Sequence, residues 1–425
     1  MLDIKWIINN KGAFVESLNK RNVPLSTFDY NTIVALYENK KSLLLNKETL
    51  EAERNKISDS IAKEIKNLTP EGLNNLKAQV KSINEELKIS TSEFNIVDEK
   101  LHNILSNIPN ILQESVPYGK SEEDNQIISI HGTKPAFDFI VQDHHSLSVK
   151  RDLMDFKRAS NIAGSRFVIM KGKLSKLDRA LRDFMLDICI NEFGYTEHSL
   201  PYFMNSKTAY GCGQLPKMSE DMFHITKENL YLIPTSETAL VGIYQDEIIN
   251  HNNLPTRMCS WSPCFRSEAG AAGKDTSGII RQHQFSKVEI VSIIQEELAE
   301  QEHQRMLSCA QYILNELNLH YRTILLCGGD TGFCSSKTYD IEVWIPTQNK
   351  YREIASCSNT TTFQSRRSNI RYKEQNGDNK HPFMLNSSAL PIGRTIVAIL
   401  ENFQNKDGFI NIPAKLQKYY LDEIL

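Results

Sequence analysis

Cysteine patterning, long apolar runs and net charge are all wanting in this chain of 425 residues, and each lack removes a class of function. None of its eight cysteines (Cys189, Cys212, Cys259, Cys264, Cys309, Cys327, Cys334 and Cys357) forms a CxxC pair or clusters with a histidine pair. That argues against a zinc site and for unpaired thiols in a reducing compartment. No uninterrupted apolar run reaches the length of a membrane span, and MLDIKWIINNKGAFVES at the start lacks the apolar stretch of a secretion signal and carries Asp3 early. A cytoplasmic protein with no membrane partner is expected. With 49 Lys+Arg against 52 Asp+Glu the formal charge is −3, so a nucleic-acid partner is neither indicated nor excluded and has to be read locally. A chain of this length outgrows one small core, and two domains are expected.

What is present first is a heptad pattern. Leu73, Leu76, Val80, Ile83 and Leu87, then Phe94, Val97, Leu101, Ile104, Ile108 and Ile111, alternate three and four apart, with Ser90 the one lapse. Leu36, Leu43, Leu50 and Ile57 recur every seven residues in a charged, glycine-free run before them. Such a repeat demands a helical partner along one narrow seam. Between the two runs, LTPEG carries the helix breakers Pro70 and Gly72. A reversal near 68 or 69 sets Ile57 against Val80, Leu50 against Leu87, Leu43 against Phe94 and Leu36 against Leu101. The registers agree, so helices over about 31–67 and 72–108 are expected to form an antiparallel coiled-coil arm, roughly 55 Å long, within an N-terminal domain 1–110. A dimerisation coiled coil or a bundle helix would show the same heptads; the turn and the matched registers favour the arm. Its charges are mixed, and a solvated face explains them as well as a phosphate-contacting one.

Residues 111–130, with Pro117, Gly119 and an acidic run, read as a linker, and 131–425 as the second domain. There the helical spacing of Leu174, Leu177, Leu181, Phe184 and Ile188 alternates with strand-like runs at 229–234, 257–266, 280–294, 339–345 and 382–386. The expected fold is α+β, an antiparallel sheet flanked by helices.

One stretch is unlike core: PCFRSEAGAAGKDTSGIIRQHQFSKVEIV, 263–291, in which Arg266 and Arg281 flank a glycine-rich loop. A Walker-type phosphate loop is excluded, because Glu268 and Asp275 stand where that motif needs Gly and Ser or Thr. Strand alternation puts Arg281, His283, Phe285, Lys287 and Glu289 on one face and Ser286, Val288, Ile290 and Ser292 on the other. Guanidinium groups, a flat ring and a carboxylate in line suit a ligand with an anionic part, a base and a cationic end.

These residues resemble motif 2 of the seryl-tRNA synthetases, class II aminoacyl-tRNA synthetases. The resemblance continues through LEAERNKIS, IPNILQESVPYGKSEEDN, DFKRASNIAGSRFVIMKG, GYTEHSLPYFMN (similar to motif 1), YGCGQLPKM, LIPTSET, YDIEVWIP, YREIASCSN and LNSSALPIGRTIVAILENFQ (similar to motif 3). It implies an enzyme that joins serine to ATP as seryl-adenylate, releases pyrophosphate and passes serine to serine tRNA, with selenocysteine tRNA a further candidate acceptor. Arg266 would meet the α-phosphate and Arg281 the γ-phosphate; Ser267 and Glu268 would lie by the nucleotide, Glu268 at the adenine amino group, with Phe285 stacked on the base. Glu353 and Ser356, in the ATP-binding run Glu353, Ile354, Ala355, Ser356, would hold Mg2+, and Arg394 in a first helical turn would meet the triphosphate. Arg266, Arg281 and Glu353 are the expected catalytic residues.

For serine, the resemblance points to Thr235, Ser236 and Glu237, the first and last expected on one strand face, with Arg266, Glu289, Asn386 and Ser388. It also implies that the arm grips the long variable arm of serine tRNA and that motif 1 forms a homodimer. The chain departs from the family at Ser387, Ser388 and Ala389, usually Gly-Ser-Gly, at Pro391, usually Ala, and at Thr362, commonly Asp. A class II-like paralogue that is non-catalytic, or that loads a carrier protein, is the alternative; the arm heptads count against the carrier, and joint retention of Arg266, Arg281, Glu289, Glu353 and Arg394 against the inert paralogue.

Overall fold

The structure is a computed structural model that describes all residues except 65–68 and 271–276. The chain divides into two compact units, residues 2–19 with 23–108, and Met1 and 20–22 with 109–425.

In the first unit, helices α1 (Tyr30–Glu64) and α2 (Pro70–Asn107) pack side by side. Thr69 caps α2, its hydroxyl accepting the Gly72 N–H at 3.1 Å, and Pro70 takes the first helical position, where no N–H is needed. Lys40 pairs with Asp98 at 2.5 Å, and Asn46 reaches Ser90 at 3.5 Å. Partner numbers that fall on one helix as they rise on the other mean antiparallel helices, in the register the heptads set. Ser90, the lapse in the repeat, is 4% exposed and meets a polar partner across the seam. The reversal expected near 68 or 69 borders residues outside the described ones.

The second unit is built on one eight-stranded sheet: β1 (Gln126–His131), β2 (Thr196–Glu197), β3 (Thr256–Phe265), β4 (Gln284–Ile294), β5 (Tyr321–Leu325), β6 (Lys337–Ile345), β7 (Lys350–Asn359) and β8 (Phe383–Pro391), in the order β1-β5-β6-β7-β8-β4-β3-β2. All neighbours are antiparallel except β2 with β3. The α+β class expected from the sequence is the one found. Residues 111–130, read as a linker, belong to this unit: β1 pairs with β5, and the Gln113 N–H donates to the Ser336 carbonyl at 3.0 Å.

One sheet face is covered by helices α4 (Lys173–Asn191), α6 (Ala299–Glu316) and α8 (Ile392–Asn402); α3 (His144–Lys150), α5 (Ser236–Gly242) and α7 (Phe363–Arg367) are shorter. Leu177, Leu181 and Phe184 of α4, Met306 and Ile313 of α6, and Ile396 and Ile399 of α8 share a core with Val288 and Ile290 of β4 and Ile341 and Val343 of β6. Burying these side chains is the main stabilising term, about 1.5–3 kcal/mol each. Lys287 and Glu289 of β4 and Asp340 and Glu342 of β6, of opposite parity, line a cleft instead.

Candidate active site

The cleft has two connected lobes, of about 720 and 180 Å3. Among the described residues six line both: Arg266, Glu268, Arg281, Lys287, Glu353 and Ser388. The larger lobe continues to Thr235, Glu237, Glu289, Asn386, Ser356 and Asp340, and the smaller to Phe285, Ile354, Pro391, Gly393 and Arg394.

The β3–β4 hairpin supplies the centre. Cys264 pairs with Phe285 in register, and just beyond the strands the Arg266 N–H donates to the His283 carbonyl at 3.0 Å. This brings the two ends of the glycine-rich loop together and turns both arginines into the cleft. Arg266 lies with its guanidinium carbon 5.2 Å from the Phe285 ring centre and donates to the Pro234 carbonyl at 3.3 Å. Arg281 pairs with Glu268 at 3.2 Å, and Glu268 holds a positive φ of 53°. The middle of the loop, including Gly273, Lys274 and Asp275, lies outside the described residues.

Alternation places Phe285, Lys287 and Glu289 in the cleft as expected, with Val288 and Ile290 in the core. It fails at His283, because β4 begins at Gln284; this imidazole instead contacts Phe167 and Phe223 and hydrogen-bonds the Arg266 carbonyl at 3.0 Å. Lys287, to which the sequence reading gave no role, is the deepest cation: 8% exposed, 2.5 Å from Glu289 and 2.9 Å from the Thr235 hydroxyl. Its parity with Phe285 and Glu289 was the available signal.

Thr235 and Glu237 do not share a strand. Thr235 caps α5, its hydroxyl accepting the Glu237 N–H, and Glu237 opens the first helical turn. A short polar residue at a helix start prefers this cap, and the two side chains still reach the cleft. Gln364, also unassigned from sequence, donates to Glu237 at 2.7 Å. Burial, and then the negative charge of Glu289, push the Glu237 pKa above its ordinary 4.5.

Three expected residues do not present side chains to the cleft. Ser236 is fully buried with its hydroxyl toward the Ser260 carbonyl, Ser267 donates to the Glu220 carbonyl at 2.6 Å, and Ala355 belongs to the core. Ile354 lines the smaller lobe and is 1% exposed.

Glu353 and Ser356 are three apart, which on a regular strand puts them on opposite faces. A bulge in β7 cancels this: Glu342 pairs with Glu353 but Ile341 with Ala355, leaving Ile354 as the extra residue. Both side chains therefore enter the cleft. Arg394, in the first turn of α8, donates to the Glu353 carbonyl at 2.8 Å and lies 3.5 Å from its carboxylate. This guanidinium holds the Glu353 pKa below its ordinary value, with burial opposing and Arg266 assisting. Beside them Asp340 has one carboxylate oxygen buried without a partner among the described residues. Burial and the charge of Glu353 raise its pKa well above the ordinary value, and the Ser356 hydroxyl, which donates to it, partly offsets this. An underserved oxygen beside a second carboxylate and a hydroxyl is a fit place for a hard cation.

Asn386 and Ser388 line the larger lobe from β8, and the Ser388 hydroxyl is 3.4 Å from Glu289. Here the chain lacks the glycines usual in the resemblance, and β8 bulges: Glu289 pairs with Ser388 but Val288 with Leu390. Leu390 takes φ 114°, a conformation costing a side-chain-bearing residue about 1–3 kcal/mol.

Comparison with known proteins shows the family. Residues 1–112 match the seryl-tRNA synthetase N-terminal domain, and 222–403 the class II core domain of the tRNA synthetases for G, H, P, S and T. The chain is 46% identical to a serine–tRNA ligase of Wolbachia pipientis, covering 99% of this chain and 98% of that one. A serine–tRNA ligase of Ehrlichia ruminantium is 48% identical, again over 99% and 98%. Among solved structures, seryl-tRNA synthetase from Pyrococcus horikoshii complexed with ATP superposes with TM-score 0.90 at 34% identity, covering 100% of this chain and 99% of that one.

Proposed function

The chain belongs to the seryl-tRNA synthetase family and is an ATP-dependent ligase that joins serine to tRNA; from that premise we propose how its cleft does so. The observation that carries the reading is the set of six residues shared by both lobes, which is where serine and ATP have to meet.

Adenine lies in the smaller lobe on Phe285, with Glu268 accepting from its amino group. Serine lies in the larger lobe, its ammonium among Thr235, Glu237 and Glu289, its hydroxyl near Glu289 and Ser388, and Asn386 beside it. A serine carboxylate oxygen attacks the α-phosphorus while the bond to the bridging β-phosphate oxygen breaks in line. No protein nucleophile or proton transfer is needed, so the protein contributes position and charge. Arg266, at the junction of the lobes, stabilises the α-phosphate as charge builds, and Arg281 and Arg394 hold the departing phosphates. Arg281, Arg394 and Lys287 are paired with Glu268, Glu353 and Glu289.

Glu353 and Ser356 would hold Mg2+, which supplies charge neutralisation between phosphates when bound. A carboxylate and a hydroxyl, both hard oxygen donors, would suit that ion. Alanine lacks the hydroxyl and leaves a buried carboxylate without its donor, the kind of mismatch that gives strong rejection.

We further infer that α1 and α2 bind the long variable arm of serine tRNA, supported by the match of residues 1–112 to the family's N-terminal domain. A symmetric homodimer is inferred as well; edge strand β1 exposes Ile127, Ile128 and Ile130, as an unpartnered protein surface rarely does. A cytoplasmic location fits the eight unpaired cysteines. No helix among the described residues is long and apolar enough to cross a membrane.

The test is pyrophosphate exchange without tRNA. Exchange with serine and little with alanine or glycine is expected; exchange with none of them would end the reading. Charging assays on serine and selenocysteine tRNA transcripts then define the acceptor.

A further inference from the structure

Behind the cleft the second unit holds an imidazole–carboxylate pair to which the proposed chemistry gives no task. His144, at the start of α3, and Glu401, in the last turn of α8, have side chains 5% and 0% exposed, with Nδ1 2.8 Å from a Glu401 oxygen. The Ile279 N–H donates to Nε2 at 3.3 Å. Nε2 is therefore the acceptor and Nδ1 faces the Glu401 carboxylate. Glu401 also accepts from the His144 N–H at 3.2 Å and from the Thr347 hydroxyl at 2.5 Å.

Each contact leads to a segment bearing a charge of the triphosphate site. Ile279 is two residues before Arg281 on the returning limb of the glycine-rich loop. Thr347 lies in the β6–β7 turn, six residues before Glu353, and Glu401 shares α8 with Arg394. The loop is also laid closely on the ring. Gly278 has φ +79°, and a Cβ there would fall 2.1 Å from Nε2, so no side chain fits between. Ile279 itself is 3% exposed.

We propose that His144, oriented by Glu401, is a positioning residue that fixes the return of the glycine-rich loop and so aims Arg281 at the nucleotide phosphates. It rests on the reading of Arg281 as a phosphate ligand. Without the Ile279 anchor the returning limb gains freedom that ATP binding must then remove, while the serine lobe, built from Thr235, Glu237 and Glu289, keeps its geometry.

Two variants separate the ring nitrogens. His144→Asn keeps a polar group near the Nδ1 position for Glu401 but falls short of Ile279; His144→Gln keeps an acceptor near the Nε2 position. KM for ATP and for serine would be measured in pyrophosphate exchange, with Tm alongside and Arg281→Ala as reference. His144→Asn should raise KM for ATP about 10-fold, roughly the worth of one hydrogen bond. KM for serine should stay within about twofold, and His144→Gln should recover most of the loss. Should His144→Asn fold poorly, Glu401→Gln, which keeps the acceptor's shape, gives an independent reading with an expected rise of about threefold in KM for ATP alone. An unchanged KM for ATP in His144→Asn while Arg281→Ala raises it would overturn the proposal. So would equal losses for ATP and serine with a lowered Tm and no recovery in His144→Gln. No effect of Arg281→Ala on KM for ATP would overturn the reading of Arg281 itself, and the positioning role with it.

Discussion

In the α1–α2 hairpin the ion pair Lys40–Asp98 joins side chains 34% and 45% exposed, whereas in the cleft Lys287 and Glu289 pair at 8% and 3%. Solvated pairs of the first kind contribute little, because water serves either ion nearly as well. Buried pairs of the second kind cost desolvation that their attraction only partly returns. The hairpin is thus shaped by its apolar seam and its exposed ion pairs add little to its stability, while the cleft keeps charges a core would reject. Retained and costly, they are the ones with chemical work.

The sharpest way to break this contrast is Arg266→Ala. It should reduce pyrophosphate exchange about 1,000-fold, as loss of a group aimed at developing charge does, with far-UV circular dichroism unchanged. Activity within about tenfold of the parent, 1.4 kcal/mol, would remove the distinction.

Next in size is deletion of residues 31–108 behind a short linker. Exchange should stay within about twofold, while kcat/KM for charging serine tRNA falls at least about 100-fold, or about 2.7 kcal/mol. Equal charging by the shortened chain would leave the hairpin without a tRNA role.

A stability effect of the buried charges should follow from Asp340→Asn. The Asp340 pKa is raised in the folded state by burial and by Glu353, so folding binds a proton that the unfolded chain releases. Wild-type stability is therefore lost as pH rises from below the ordinary Asp value, 3.8, through the raised one. The variant should melt about 2–4 °C higher than wild type at pH 8 without Mg2+, and the gain should vanish in acid. A lower Tm at pH 8 would contradict this. Smallest of all, a double-mutant cycle on Lys40 and Asp98 should give no more than about 0.5 kcal/mol; a coupling above about 2 kcal/mol would undo the contrast from the other side.

The same two regions differ in how legible they were. The hairpin repeats one local rule, so Leu50 opposite Leu87 and Leu43 opposite Phe94 followed from period and turn alone, and Lys40–Asp98 keeps that register. In the cleft, alternation located Phe285, Lys287 and Glu289, but two features depend on neighbouring strands. The Ile354 bulge, which brings Glu353 and Ser356 to one face, has no glycine to announce it. The β8 bulge places Leu390 at φ 114°, which no propensity suggests. Thr235 and Glu237, expected on one strand face, lie instead at the start of helix α5, because the capping preference of Thr235 prevails there. Lys287 and Gln364 went unassigned because their importance lies in contacts made across the fold, to Thr235, Glu289 and Glu237.

The central claim, that serine and ATP lie end to end across the junction of the two lobes, is tested most directly by a crystal structure with a non-hydrolysable seryl-adenylate analogue. The ring should stack on Phe285, the phosphate surrogate should sit on Arg266, and the ammonium should lie between Glu237 and Glu289. An analogue seated with its serine end away from those carboxylates, or bound outside the cleft, would contradict it.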